Sequence, residues 1–318
     1  MRTLAFAAAL LAAPSLALPA RAADDGDKVA LPPGVELSVP KGMKYGWAIK
    51  PSKKPRAVPE LFTIDRQGRP WFGMKGKVIA NPIAGEIYQL KDGFRDLAWM
   101  HYGQLLVGNE RSLGDLAFDM VAPNAQGLRN FPAALSPWIQ LPGPEYKLYS
   151  GEGCGLFLAG KSPKSGKYGL IFLEIKDRHT DVRAKPARFL FESETPIHAV
   201  AGDCTQAWFA MGRVVAHLPF AAKKMEPLFA AGGEQIRELQ ASPHGFFYAT
   251  DAAVGFFKDG SQYLFMKAPR ARVRVRGDFL FVMFEDGSVF RMEGLAGFAK
   301  LGQTVKDARS KKSARNTP

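Results

Sequence analysis

Between Ile236 and Phe265 short apolar runs alternate with turn residues. The runs Ile236–Gln240, Phe246–Ala249, Val254–Phe257 and Tyr263–Phe265 are rich in aromatic and β-branched side chains. Pro243 and Gly245, then Asp251, then Asp259 and Gly260 stand between them. Runs this short, broken by Gly, Pro and Asp, predict strands joined by tight turns. Four such strands make one small antiparallel sheet. A sheet of that size cannot cover both of its faces, so it needs neighbours.

The same rhythm recurs from Val58 onward. An apolar strand, a turn and a strand of large hydrophobics appear in Glu60–Gly73, Phe94–Gly108, Tyr146–Gly160, Ile197–Gly212 and Ala271–Phe284, as well as in the stretch above. Anchored on the turn residues Gly68, Gly103, Gly155, Thr205, Gly245 and Gly277, the intervals are 35, 52, 50, 40 and 32 residues. Their mean, about 42, is the length of a four-stranded propeller blade. Arg188–Phe191, Glu226–Phe229 and Gln262–Phe265 each end in Leu-Phe just before the next repeat, as an outer strand crossing to the next inner strand would. Over residues 58–295 the chain resembles bacterial exported β-propeller proteins. The resemblance is one of architecture: there is no WD dipeptide with its Gly-His, no kelch double glycine and no Asp-box.

The resemblance implies an all-β, single β-propeller of six four-stranded blades, with seven as the alternative. Asp115–Pro144 is longer than one connection needs and carries weak strands at Leu116–Val121 and Trp138–Leu141, room for part of a seventh blade or an inserted hairpin. Ring closure would mix the two ends of the chain, with Val35–Val39 or Tyr45–Ile49 joining the blade that contains Ala271–Leu295.

Composition changes this picture mainly at the ends. Arg2, the apolar run Leu4–Leu18 and Ala20-Arg21-Ala22 form a signal peptide with cleavage near Ala22/Ala23, so residues 1–23 are set apart from the fold and the mature chain is expected in the periplasm or secreted. Residues 24–57 read as a leader and basic linker with one or two strands, 58–301 as the propeller, and 302–318 as a basic disordered tail. No other segment approaches 18 apolar residues, so no transmembrane segment is expected in the mature chain. The net charge of +13 sits largely in the flanks: six basic residues and no acid between Lys41 and Arg56, and five basic residues against Asp307 after Leu301. Outside the cytoplasm the natural partners of such a chain are an acidic envelope protein or an anionic envelope polymer rather than nucleic acid. Flanks kept basic for solubility are the plainer alternative.

Candidate chemistry is sparse. In Arg270, Arg272, Arg274 and Arg276 a period-two pattern puts four arginines on one face of a strand, with Ala271, Val273 and Val275 on the other. By register this is an inner strand, so the guanidinium groups are expected near the channel, as an anion or partner site to which His198 could contribute. The alternative pairs them with Glu238, Glu285 or Asp286. His101, His179, His217 and His244 read as structural, and no pair of histidines has metal spacing. Cys154 and Cys204 each precede their repeat anchor by one residue. The propeller resemblance places them in equivalent turns of adjacent blades, where a disulfide closing a loop of about 50 residues would contribute roughly 4 kcal/mol; two separate thiols are the alternative.

Some propellers are metal-dependent lactonases or lyases. Glu194, Glu234 and Asp251 are the candidates for such a site, and Ca or Zn would be needed only under that reading. Otherwise no cofactor is expected. There is no GxSxG elbow, P-loop or dinucleotide fingerprint. Taken together the residues favour a non-catalytic binding or assembly protein for another envelope component.

Overall fold

The computed structural model describes residues 29–52, 58–74, 76–100, 103–118, 124, 127, 129–151, 155–175, 187–222, 224–231 and 234–300. Their secondary structure is almost entirely β, arranged as a β-propeller. Two strands, β1 (Glu36–Leu37) and β2 (Lys44–Ile49), precede the repeats. The repeats then supply β3 (Leu61–Ile64), β4 (Pro70–Met74), β5 (Val78–Asn81) and β6 (Glu86–Leu90), followed by β7 (Asp96–Trp99), β8 (Leu105–Gly108), β9 (Ser112–Phe118) and β10 (Arg129–Gln140). Next come β11 (Lys147–Ser150), β12 (Gly155–Lys161), β13 (Tyr168–Glu174) and β14 (Arg188–Ser193), then β15 (Ile197–Gly202), β16 (Gln206–Met211), β17 (Val214–Pro219) and β18 (Glu226–Ala230). The opening stretch forms β19 (Glu238–Ser242), β20 (Gly245–Ala249), β21 (Ala253–Lys258) and β22 (Ser261–Lys267), antiparallel neighbours in chain order as its apolar runs predict. Strands β23 (Arg272–Arg276), β24 (Phe279–Met283) and β25 (Val289–Glu293) end the sheet structure.

The strands do not sort into six separate four-stranded sheets. Hydrogen bonding joins them into five sheets, three of them four-stranded, one five-stranded and one eight-stranded. The eight-stranded sheet arises because β10 is long. Its first half runs parallel to β6, Arg129 opposite Glu86 through Ala133 opposite Leu90, and from Ala133 onward it runs antiparallel to β9. The long Asp115–Pro144 segment is therefore a bridge between neighbouring repeats and, among its described residues, starts no further sheet. The inner strands β3, β7, β11, β15, β19 and β23 pack one against the next, and β23 closes on β3.

Both ends of the chain take part in closure. β2 pairs with β25 from Lys44 opposite Glu293 to Ile49 opposite Val289, which completes the last four-stranded sheet, while β1 adds a fifth strand beside β22. Trp47 meets Phe290 edge-on at 5.3 Å, so the junction is packed as well as hydrogen-bonded. Beyond β25 a helical turn at 296–300 buries Phe298, whose ring lies 4.7 Å from Phe265 and 5.3 Å from both Phe247 and Phe256.

Aspartate carboxylates shape several turns. Asp65, fully buried between β3 and β4, accepts the backbone N–H groups of Gln67 (2.9 Å) and Arg69 (2.8 Å), Arg69 Nε (2.6 Å) and Trp71 Nε1 (3.1 Å). Asp203 and Asp286 serve the β15–β16 and β24–β25 turns in the same manner, accepting Thr205 N–H (2.7 Å) and Ser288 N–H (2.8 Å). These side-chain-to-backbone bonds mimic a turn, and those of Asp65 and Asp203 fix the ends of the inner strands β3 and β15.

Candidate binding site in the channel

Each inner strand enters the channel at one mouth and leaves it at the other, so residues at strand starts converge on the first mouth. This mouth is a cavity of about 340 Å³. Its cations are Arg95, Lys147, Arg237, Arg272 and Arg274, and its carboxylates are Asp96 and Glu238. The first member of β7, β11, β19 or β23 is charged in every case, namely Asp96, Lys147, Glu238 and Arg272.

Arginines of β23 occupy the wall as the period-two pattern requires, with Val273 fully buried on the opposite face. Glu238 of β19 sits between them. It accepts the Val273 N–H (3.1 Å) and a hydrogen bond from Arg274 Nη1, and lies 3.8 Å from Arg272 Nη1. One carboxylate therefore answers two guanidinium groups. Arg274 also stacks over the Phe62 ring at 5.8 Å, which holds its fork in place. Arg237 leans outward to Asp251 (2.9 Å), and Lys147 is exposed at the rim.

Asp96 differs from the other acids. It is 8% exposed, the backbone N–H of Leu148 bonds its carboxyl, and its Oδ2 has no hydrogen-bond partner among the described residues. Arg95 Nε stands 3.6 Å from that oxygen, while Arg95 also donates to the Tyr146 carbonyl. Burial pushes the Asp96 carboxyl up to about 6, against the pull of Arg95 and Lys147. Burial and the Lys147 charge hold His198 below its ordinary value. His198 does line the mouth, and its backbone carbonyl accepts the Tyr149 hydroxyl at 3.1 Å.

The four arginines singled out from the sequence do not share one site. Arg272 and Arg274 line the first mouth, while Arg276, at the end of β23, lines a second cavity of about 560 Å³. Ser150, Val200 and Gln240 line both cavities, which are thus two ends of one channel. Arg270 lies outside the strand at φ 49°, where the extended alternation has broken, and pairs at the surface with Glu285 (3.5 Å). Glu238 and Glu285 act as counter-ions, whereas Asp286 is taken up by its own turn.

Glu194, Glu234 and Asp251 do not converge. Glu194 pairs with Lys167 of the β12–β13 hairpin (3.0 Å), Glu234 accepts the Ala252 N–H (3.2 Å), and Asp251 holds Arg237. Among the described residues no three His, Cys, Asp or Glu side chains come together as a metal-holding group. Cys204 is exposed in the β15–β16 turn, and Cys154, His101 and His179 lie outside the described residues. His217 is structural, bonded to Gln206 Oε1 (2.9 Å) and stacked on Trp208; His244 sits in the β19–β20 turn, 3.7 Å from Asp278. Arg95, Asp96, Lys147 and Arg237 were not singled out from the sequence. Their signal is a charged residue immediately before or at the start of every inner apolar run except that of β15, visible once the repeats are aligned on that position rather than on the turn.

No protein-family model matches the chain, and no curated protein matches it. Solved structures do. A gluconolactonase from Xanthomonas campestris aligns with a TM-score of 0.54 at 9% identity, covering 80% of this chain and 91% of the other. The calcium-binding protein regucalcin from Agrobacterium tumefaciens aligns with a TM-score of 0.51 at 14% identity, covering 77% and 93%. Virginiamycin B lyase from Staphylococcus aureus gives 0.48 at 9% identity, covering 79% and 99%. At these identities the likeness is one of fold: the chain is a β-propeller similar to bacterial propeller proteins. Among the described residues no helix is long and apolar enough to cross a membrane.

Proposed function

We propose that this protein is an exported β-propeller that binds an acidic group of another envelope component at the first channel mouth, without transforming it. One observation supports this above the others: five cations line the mouth against two carboxylates, one of which is shared by two arginines while the other is buried and inclined to hold its proton. Such a wall keeps uncompensated positive charge inside a rigid ring, the arrangement that suits recognition of carboxylates or phosphates. In the same reading the ring counts six four-stranded units, the eight-stranded sheet being two of them zipped along β6 and β10. Residues 1–23 are removed on export, the basic flanks strengthen attraction to the partner, and Cys154 pairs with Cys204.

The test is native mass spectrometry with elemental analysis on the mature protein purified from its own periplasm. An acidic polypeptide or polymer that co-purifies and is released by salt supports the reading. A stoichiometric divalent ion removed by EDTA, with no partner, overturns it in favour of a metal-dependent lactonase- or lyase-like propeller.

A further inference from the structure

The second mouth differs in chemistry from the first. Three arginines reach it from three elements: Arg66 from the β3–β4 turn, Arg276 from the end of β23 and Arg291 from β25. No carboxylate lines this cavity. Neither Arg66 nor Arg291 makes an ion pair among the described residues. Arg291 instead lies over the Phe279 ring, 5.2 Å from its centroid. A guanidinium held on a ring face keeps its in-plane N–H groups free to bind an oxyanion. Trp99 forms another part of the wall; its ring is partly exposed, and its Nε1 is buried with no hydrogen-bond partner among the described residues. The chamber is large enough for a small organic molecule rather than an ion alone.

We infer that this second mouth is a separate site for a small dianion carried on a planar ring, of the aryl phosphate class. The phosphate takes the fork of Arg66 and Arg291, and the ring lies against Trp99 and Phe279. The inference does not rest on the acidic partner proposed for the first mouth, since the guanidinium groups involved are different ones.

Calorimetric titration with phenyl phosphate, inorganic phosphate and phenol tests it. Phenyl phosphate is expected to bind at least about tenfold more tightly than inorganic phosphate, with phenol weaker than both. Arg66→Gln and Arg291→Gln should each weaken phenyl phosphate about tenfold, the scale of one charge-assisted pair. Trp99→Ala removes the ring surface and should weaken it severalfold. Lys147→Gln/Arg237→Gln, at the first mouth, should leave it unchanged, and thermal melts of all variants report whether the fold is kept. Equal affinity for phenyl phosphate and inorganic phosphate, or no binding at millimolar concentration, overturns the site. Loss of binding in the Lys147/Arg237 variant rather than in the Arg66 variant moves the anion to the first mouth and overturns it equally, while leaving the proposed acidic-partner function standing.

Discussion

Asp96 should make the protein less stable as pH rises through the mildly acidic range. Its carboxyl is raised from 3.8 to about 6 by burial. The folded state therefore holds this proton more tightly than the unfolded state. Between about pH 4 and pH 6 the folded chain binds more protons, so ionising Asp96 weakens folding as pH increases. A shift of about two units corresponds to roughly 3 kcal/mol, absent below pH 4 and fully expressed above pH 6. Asp96→Asn keeps the shape and removes the ionisation. Urea unfolding of both proteins at pH 4.5 and pH 7.5 isolates the effect, because other titrating groups largely cancel in the difference. Relative to the wild type, the Asn variant should gain about 2 kcal/mol on going from pH 4.5 to pH 7.5. A difference between the two proteins that is the same at both pH values would refute the idea that Asp96 is buried without adequate compensation.

Three further outcomes follow from packing and bonding. Asp65→Ala leaves Trp71 Nε1 and Arg69 without their acceptor and should cost about 3 kcal/mol in denaturant unfolding, whereas a mere surface-turn role would cost under about 1 kcal/mol. Phe298→Ala empties a pocket among Phe247, Phe256 and Phe265 and should cost about 3–5 kcal/mol, with faster exchange of the β22 and β25 amides if the helical turn clamps the closure. Non-reducing peptide mapping of the exported protein should yield a Cys154–Cys204 linked pair, and reduction should lower stability by roughly 4 kcal/mol; two thiols alkylated without reductant would remove that pairing.

Much of this fold is legible in the apolar runs because a propeller repeats one local instruction, strand then turn, and neighbouring strands pair in chain order. The runs between Ile236 and Phe265 become β19 to β22 with little displacement, and Arg272 to Arg276 point as their alternation requires. What the runs do not reveal depends on contacts remote in sequence. The parallel pairing of β10 with β6 needs the first and second repeats already side by side, so the length of Asp115–Pro144 shows a surplus without its destination. The division of β23 between two mouths depends on how far the strand travels through the channel: Arg274 and Arg276 share a face and part company by two residues. Asp96 looks like any acid before a strand. Its raised carboxyl comes from burial after folding, which outweighs the lowering pull of Arg95, Lys147 and the Leu148 N–H. The scattered acids Glu194 and Glu234 lie in connections leading into inner strands and Asp251 in the β20–β21 hairpin, and their partners are a lysine, an amide and an arginine.

The claim that the first mouth captures acidic groups is tested most directly by titrating hexaglutamate into the mature protein and into Lys147→Gln/Arg237→Gln at low and moderate salt. Arg237 turns outward to Asp251 and Lys147 is exposed at the rim, so neither substitution removes a partner from Glu238 and the ring should persist. The wild type should bind the peptide, lose affinity as salt rises, and exceed the double variant by about tenfold or more at low salt. Equal binding by the two proteins, or no binding by the wild type at low salt, would contradict it.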